Sequence, residues 1–128
     1  MNSRELGNLG EKIACQYLGK KGYRILNTNF KRKWGEIDVV AKKQGKIIFV
    51  EVKTLRRTEQ TEDKVFIPEN EIDWKKKKQL RKMAQIYLSE NRISLNSRHQ
   101  IDIIAIEIYS NPRKVRLRHY QNAIEDIY

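Results

Sequence analysis

Apolar residues near the start of the chain recur every three or four positions, which is the period of an amphipathic α-helix. The apolar stripe consists of Leu6, Leu9, Ile13 and Tyr17, with Ala14 and Leu18 beside it. Asn8 and Glu11 have the spacing of a capping box, so the pattern leaves the position of the first helical turn open. Lys20, Lys21 and Gly22 predict the helix end, because cations suit a helix C-terminus and glycine suits the left-handed residue beyond it.

Three strands are predicted next from short apolar runs that are rich in β-branched residues. They span residues 23–31, 35–42 and 46–54, and a polar linker ending in Gly45 predicts a hairpin between the last two. The second and third strands have few polar interruptions. This composition indicates central strands that are covered on both faces.

The second half of the chain alternates polar stretches with clear periodic segments. Residues 55–71 are polar without a regular apolar period and predict one long loop, which in a compact domain is more often functional or mobile than idle. A helix is expected over residues 71–90, with Asn70 as its cap. The remaining predicted elements are a strand at 100–108, a turn at 110–114, a strand at 115–118 and a short helix at 122–128.

Length and composition add a class and a partner to this pattern. The chain has 128 residues, which predicts one α/β domain over residues 1–128 with a mixed central sheet flanked by helices. The formal net charge is +11, from 27 Lys and Arg against 16 Asp and Glu, and it indicates a polyanionic partner. One cysteine excludes a disulfide within one chain, and no apolar run approaches the roughly 18 residues of a membrane span. With a polar start unlike a signal peptide, we expect a cytoplasmic protein without membrane contact.

Charged residues inside two of the apolar strands are the strongest sign of chemistry. Asp38, Glu51 and Lys53 lie in strand interiors, where burying a charged group without a partner carries a large free-energy cost. A divalent cation would supply the partner for the carboxylates. The two-residue period of a strand puts Glu51 and Lys53 on one face, which predicts a metal-dependent phosphodiester hydrolase. A cross-strand ion-pair network on a wet face would explain the same charges without catalysis.

The order of elements and two motifs resemble the PD-(D/E)XK nuclease superfamily, and more closely the YraN-type family of predicted endonucleases, which is related in sequence pattern to archaeal Holliday-junction resolvases. The matching positions cover nearly the whole chain. They are Gly10-Glu11, Ala14, Tyr17-Leu18, Gly22-Tyr23, Gly35-Glu36-Ile37-Asp38, Phe49-Val50-Glu51-Val52-Lys53-Thr54 and Asn122-Ala123. The pair of strand motifs at this spacing is specific, whereas an isolated Glu-x-Lys is common by chance. The resemblance implies a restriction-endonuclease-like core.

The resemblance also implies a metal centre for Mg²⁺ or Mn²⁺. Asp38 and Glu51 are the implied ligands, and the carbonyl oxygen of Val52 completes the coordination. Lys53 positions or helps to activate the attacking water. Glu11 matches the helical acid that resolvase-like members add to the metal site. The alternative explanation of Glu11 is the helix dipole, which alone favours an acid early in a helix.

Several further polar and aromatic residues are weaker candidates. Glu36 shares strand parity with Asp38 and is either a metal ligand or an outer acid of the site. Asp102 begins a strand and either approaches the site or is a solvated or turn-bonded acid. The two histidines lack companion ligands and are not expected to act as catalytic bases. Trp34 and Trp74 fit core or rim positions better than base-stacking platforms.

Clusters of basic residues bracket the acidic motif in sequence and are expected to hold the phosphate backbone. The expected DNA contacts are Lys31, Arg32, Lys33, Arg56, Arg57, Lys75, Lys76, Lys77 and Lys78. Many relatives carry arginine where this chain has Leu55, which leaves open whether a basic contact has moved to Arg56 or Arg57. A solvated helix face is the alternative explanation of the lysine run.

We therefore expect a Mg²⁺- or Mn²⁺-dependent DNA endonuclease in recombination, repair or DNA processing. Recognition by structure is favoured over recognition by sequence, because no base-reading module is evident. A homodimer is implied by analogy with resolvases. The alternatives are a nucleic-acid-binding protein that keeps the nuclease fold without turnover, and a basic RNA-binding or ribosome-associated protein, which would leave Asp38, Glu51 and Lys53 unexplained.

Overall fold

The computed structural model describes residues 1–58, 72–110 and 113–124. These residues contain two helices and five strands. The elements are α1 (Ser3–Lys20), β1 (Arg24–Arg32), β2 (Gly35–Lys43), β3 (Lys46–Arg57), α2 (Trp74–Glu90), β4 (His99–Ser110) and β5 (Arg113–Tyr120). The strands form one sheet in the order β1-β2-β3-β4-β5. The β3–β4 pair is parallel and the other pairs are antiparallel. This arrangement confirms the predicted α/β class with a mixed central sheet.

The first helix begins earlier than a cap at Asn8 would place it. Asn2 is the cap, and its side-chain oxygen accepts a hydrogen bond from the Glu5 N–H at 2.8 Å. Asn8 is exposed inside the helix, because the apolar stripe that packs on the sheet already starts at Leu6. The predicted helix end is confirmed, since α1 stops at Lys20 and Gly22 has a φ of +90°.

The second helix and the chain end also differ from expectation. Helix α2 begins at Trp74, because Asp73 accepts a hydrogen bond from the Lys76 N–H at 2.8 Å and caps it; the predicted cap Asn70 lies outside the described residues. Strand β3 continues to Arg57, three residues beyond the prediction. Residues 122–124 are not helical as predicted, because the Ala123 N–H bonds to the carbonyl of Ile101 in β4; residues 125–128 lie outside the description.

The two helices pack on opposite faces of the sheet, and β3 contributes to both cores. Phe49 packs with the α2 residues Leu80 and Met83, whereas the next residue, Val50, packs with Ala14 and Leu18 of α1. Successive strand residues point to opposite faces, so one strand can fill two cores. The prediction that β2 and β3 are covered strands is thereby confirmed. Within the described ranges, neither helix has the length and apolar character needed to cross a membrane.

Candidate active site

A cleft of about 320 Å³ lies where the start of α1 passes the first residues of β2 and the middle of β3. Its lining residues are Ser3, Leu6, Gly7, Glu11, Asp38, Glu51, Val52 and Thr54. The cleft therefore brings together the four residues that the resemblance gave as metal ligands. Gly10 allows this approach, because a Cβ at that position would lie 1.8 Å from Oγ1 of Thr54.

The position of Asp38 is fixed by a break in the β2–β3 ladder. The paired register of the two strands ends at Val39 and Val50, one residue before Asp38 would pair with Glu51. The N–H of Val52 instead donates to Oδ2 of Asp38 at 2.8 Å. The carboxylate thus takes the place of a backbone acceptor and lies between the two strands.

Burial, together with a neighbouring acid, raises the pKa of Asp38 to about 7. Burial is the largest cause, followed by the negative charge of Glu51 and hydrogen bonding between the two carboxyl groups. The Val52 N–H and the Lys76 ammonium act in the opposite direction and do not compensate. Two carboxylates in one low-dielectric site cannot both ionise without cost, so the pair favours a proton or another cation.

Glu11 extends this acidic surface along α1. Burial raises the pKa of its carboxyl group, and the charges of Asp38 and Glu36 raise it further. A hydrogen bond with Asn29 and the charge of Lys31 lower it in part. Glu36 does not line the cleft. It lies opposite Lys31 in the β1–β2 ladder, and both residues are near enough to Glu11 to affect the pKa of its carboxyl group.

Two carboxylate oxygens in the cleft are buried and accept no hydrogen bond from the part of the chain that the structure describes. They are Oε1 of Glu11 and Oε2 of Glu51. Nζ of Lys76 lies 3.2 Å from Oε2 of Glu51 and forms an ion pair, although without hydrogen-bond geometry. Unsatisfied hard oxygen donors fit a divalent cation such as Mg²⁺ or Mn²⁺. Among the described residues no three acid, histidine or cysteine side chains form a ready-made metal cage, so the fit is to an open site that keeps waters.

Lys76 is the site residue that the sequence analysis did not place at the acids. It was expected to contact DNA phosphates together with the other lysines at the start of α2. The structure places its ammonium group at Glu51, and the Lys76 side chain is about a third exposed. Nothing in a run of four lysines distinguishes this one, because the choice depends on how the first turn of α2 packs against β3.

Lys53 lies beside the cleft and is not among its lining residues. It follows Glu51 on the same strand face, roughly 7 Å farther along β3 at the rise of a β-strand. Lys53 is half-buried, and the ion pairs found in the described part of the chain do not involve it. Its predicted role in catalysis stays a prediction.

Most of the predicted DNA-contacting residues are on the surface. Lys31, Arg32 and Lys33 are exposed at the end of β1, where Arg32 donates to the Glu90 carboxylate at 2.8 Å. Arg56 is exposed and donates to the carbonyl of Met1. Lys75 and Lys78 are exposed and Lys77 is partly exposed, so these positions are open to a phosphate backbone.

Arg57 is a correction to that set. Its side chain is 5% exposed, and its Nε donates to Oε2 of Glu107 at 2.9 Å. Arg118 also pairs with Glu107, and the Tyr109 hydroxyl donates to the same carboxylate at 3.2 Å. A buried guanidinium in such a network is not available to a DNA phosphate, so of the two alternatives only Arg56 is placed to contact DNA.

Asp102 belongs to a second buried network and does not line the cleft. It is fully buried, and it accepts hydrogen bonds from Gln100 and from the N–H of Asn122, each at 2.8 Å. Nε2 of His119 lies 2.7 Å from Asp102, and Nδ1 of the same ring lies 2.9 Å from the Tyr17 hydroxyl. Asp102 is therefore turn-bonded rather than solvated, and His119 ties α1 to β4 and β5.

Both tryptophans are exposed, which rules out the core position considered for them. Trp34 is 46% exposed in the turn between β1 and β2, and Trp74 is 58% exposed as the first residue of α2. Each ring has cationic side chains near it. Exposure is compatible with a rim position and with a base-stacking platform, and it does not distinguish between them.

Comparison with known proteins gives the family. Residues 10–106 match the model of the uncharacterised protein family UPF0102. A UPF0102 protein of Caldanaerobacter subterraneus subsp. tengcongensis is 41% identical over 117 residues, which cover 91% of this chain and 89% of the relative. UPF0102 proteins of Caldicellulosiruptor saccharolyticus and Clostridioides difficile are 39% and 36% identical, covering 87% and 96% of this chain and 87% and 99% of the relatives. The chain is an α/β protein of the UPF0102 family.

Proposed function

We propose that this protein is a metal-dependent nuclease of the PD-(D/E)XK superfamily that hydrolyses phosphodiester bonds in DNA. The observation that carries the proposal is the convergence of Glu11, Asp38 and Glu51 on one cleft, where two buried carboxylate oxygens accept no hydrogen bond from the described residues. A folding role explains this arrangement only in part, because the Lys76 ammonium and the Val52 N–H are few partners for three acids, and buried acids that serve stability are normally fully paired and hydrogen-bonded. The sequence resemblance points to the same residues.

Asp38, Glu51 and the carbonyl of Val52 would hold Mg²⁺ or Mn²⁺, with Glu11 at the wall of the cleft. When bound, the metal supplies Lewis acidity to a phosphoryl oxygen and lowers the pKa of a coordinated water. The Val52 N–H orients Asp38 through the 2.8 Å hydrogen bond. Lys53 adds positive charge where a transferring phosphoryl group gains negative charge.

DNA is the proposed substrate because the chain is strongly basic and its exposed cations flank the cleft on β1 and α2. A nuclease of this type must hold a polyanion over repelling carboxylates, which requires such cations. Recognition of DNA structure rather than sequence remains our expectation. A cytoplasmic location suits a chain with one cysteine. Two copies acting together would cut both strands, which is the role that we propose for a homodimer.

A second candidate function is nucleic-acid binding without cleavage. The ion pair between Lys76 and Glu51 favours it, because an ammonium group can neutralise the carboxylate that a metal would otherwise use. The two functions differ in whether a divalent cation displaces this pairing. Metal binding is therefore the measurement that separates them.

Calorimetry with Mn²⁺ tests the proposal directly. We expect weak binding at one site, because two or three carboxylates with retained waters form an open site. Asp38→Asn and Glu51→Gln should abolish the binding heat. Glu90→Gln is the matched control, since Glu90 is an exposed acid that pairs with Arg32 away from the cleft. Equal Mn²⁺ binding by wild type, Asp38→Asn and Glu51→Gln would remove the metal site from the proposal.

A further inference from the structure

Two exposed indole rings lie on one side of the molecule, at the start of α2 and beside its second and third turns. They are the only tryptophans of the chain. Tryptophan is the residue with the largest aromatic face, and proteins usually keep most of it away from water. Trp34 is 46% exposed and Trp74 is 58% exposed, so part of each residue is open to a ligand.

Trp34 is held in place by contacts of its backbone and its ring. Nε2 of Gln79 in α2 donates to the carbonyl of Trp34 at 2.6 Å. A Cβ on the next residue, Gly35, would lie 2.6 Å from Cδ of Gln79 and would displace the side chain that makes this hydrogen bond. Nζ of Lys82 lies 4.9 Å from the centre of the Trp34 ring. The turn between β1 and β2 is thus fixed against α2, and the ring is presented rather than left on a loose loop.

Cations surround both rings. Nζ of Lys33 is 6.0 Å from the Trp34 ring centre, and the Arg81 guanidinium is 5.7 Å from the Trp74 ring centre. The exposed lysines Lys75 and Lys78 lie on α2 between Trp74 and Gln79. Aromatic faces interleaved with cations are the combination that binds bases and phosphates of single-stranded nucleic acid.

The α2 positions of Trp74 and of Lys82, whose ammonium group lies near the Trp34 ring, span the length of a short stretch of nucleic acid. Trp74 and Lys82 are eight residues apart, or roughly 12 Å along the helix axis. That is the length of about three to four nucleotides at the 3.4 Å spacing of a stacked strand. The same first turn of α2 places Lys76 at Glu51, so the aromatic surface and the acidic cleft are joined by one helix.

We propose that Trp34, Trp74, Lys33 and Lys82 form a tryptophan surface that binds an unpaired DNA strand by base stacking. A duplex has its base faces covered by neighbouring bases and cannot stack on these rings, so the surface selects DNA with single-stranded or flapped segments. The proposal deepens the proposed function by naming its substrate class. The binding itself needs no metal and rests only on the tryptophan surface.

Tryptophan fluorescence tests the proposal, because both reporters lie in the surface itself. The titration uses a short oligothymidylate in EDTA, because a metal-dependent nuclease does not cleave DNA once EDTA has removed the metal. We expect quenching of the wild-type emission, and quenching of the remaining ring in each single variant. Trp34→Leu and Trp74→Leu should each weaken oligothymidylate binding, measured by anisotropy of a labelled strand, by roughly 10-fold. Trp34→Phe and Trp74→Phe should lose only a few-fold, because phenylalanine keeps an aromatic face.

Two controls make the result specific. Leu95→Ala removes an exposed apolar side chain outside the tryptophan surface and should leave binding unchanged. A blunt duplex of the same length should bind equally well to wild type and both leucine variants. Oligothymidylate binding without quenching, or with unchanged affinity in both leucine variants, would overturn the tryptophan surface. A change of oligomeric state in the leucine variants, without loss of DNA binding, would instead assign the rings to contact between copies of the chain. Loss of Mn²⁺ binding in the earlier experiment leaves this test intact.

Discussion

Glu51 and Glu107 are two carboxylates buried in neighbouring strands of the same sheet, and their surroundings are opposite. Both are almost inaccessible, at 6% and 2% exposed. Glu107 has two arginines and a tyrosine hydroxyl around it. Glu51 has a second acid, Asp38, beside it and one ion pair, to Lys76. The sheet can therefore provide partners for a buried acid, and it provides them at only one of the two places.

The difference is visible in the proton affinities of the two regions. Burial alone would raise the pKa of Glu107, but hydrogen bonds from Arg57 and Tyr109, with the charges of Arg118 and Arg57, lower it. Burial and the charge of Glu51 instead raise the pKa of Asp38 to about 7. Glu107 is satisfied by the fold itself, whereas the two acids Asp38 and Glu51 share one cation, Lys76, which does not offset their combined negative charge. A bound cation would remove that deficit, which supports the proposed metal site.

The largest expected effect is on stability, at the satisfied acid. Glu107→Gln removes the buried carboxylate that pairs with Arg57 and Arg118, so we expect a loss of about 3–5 kcal/mol in the free energy of unfolding at pH 7. The lowered pKa of Glu107 means that its contribution is present above its ordinary value near 4.5 and is lost as pH falls through the folded value. Urea unfolding at pH 7 measures the loss. Glu90→Gln, which removes an exposed ion pair, is the control. A loss below 1 kcal/mol would show that Glu107 is not a structural counter-charge.

At the unsatisfied acids the main effect should be on catalysis. Lys53→Ala should lower the rate of metal-dependent DNA cleavage by roughly 10²-fold, as expected for one preorganised electrostatic group, while DNA binding weakens only a few-fold. The assay compares wild type and variant on branched, flapped and single-stranded DNA with Mg²⁺ and Mn²⁺. Lys42→Ala, an exposed lysine on β2, is the control. Equal cleavage by Lys53→Ala would refute the role of this lysine; tight binding without any wild-type cleavage would favour the binding protein.

Removing the crowded charge should stabilise the metal-free protein. The pKa of Asp38 is raised from 3.8 to about 7, so the folded state binds more protons than the unfolded state between these values. Stability contributed by this group is therefore present at low pH and lost as pH rises through about 7. We expect Asp38→Asn to raise the free energy of unfolding by about 1–2 kcal/mol at pH 8 in EDTA, with little change at pH 4. A destabilised variant at pH 8 would show that the carboxylate is needed by the fold.

The smallest expected effect concerns cations outside both acid regions. DNA affinity should fall with salt at a slope of about −4 to −5 in log units if about five phosphates are contacted. Lys78→Gln should make that slope less steep by about 0.9 and weaken binding to different sequences equally. Lys114→Gln on β5, at the other edge of the sheet from β1, should leave it unchanged. Equal slopes for wild type and Lys78→Gln would remove this lysine from the DNA contacts.

Local pattern was sufficient for the fold class and for two acids of the candidate site, Asp38 and Glu51, whereas Glu11 was expected there only from the family resemblance. The two-residue strand period places Glu51 on the face of Phe49, and the three- to four-residue period places α1 on the sheet. The pattern failed where a partner is distant in sequence. Arg56 and Arg57 are equivalent neighbours in the sequence, yet one is exposed and the other pairs with Glu107, fifty positions later on β4.

The lysine run at the start of α2 and the acid Asp102 show the same limit. Lys75 and Lys76 are identical locally, and only the packing of α2 against β3 selects Lys76 for Glu51. Asp102 is buried because His119 and the Asn122 N–H meet it from the last strand and the following turn. A sequence pattern predicts which face of a helix or strand is buried, but it does not predict which elements pack against each other. These contacts could therefore be identified only from the tertiary structure.

The contact between Gly10 and Thr54 determines the width of the cleft between α1 and β3. At this point the distance between helix and strand is the thickness of a backbone and one threonine, with no side chain from α1 to adjust it. Glu11 follows Gly10 directly. The absence of a Cβ at Gly10 therefore determines how far the Glu11 carboxylate reaches into the cleft. A single methyl group at position 10 would act as a spacer, lifting one wall of the cleft while leaving every acid in the sequence intact.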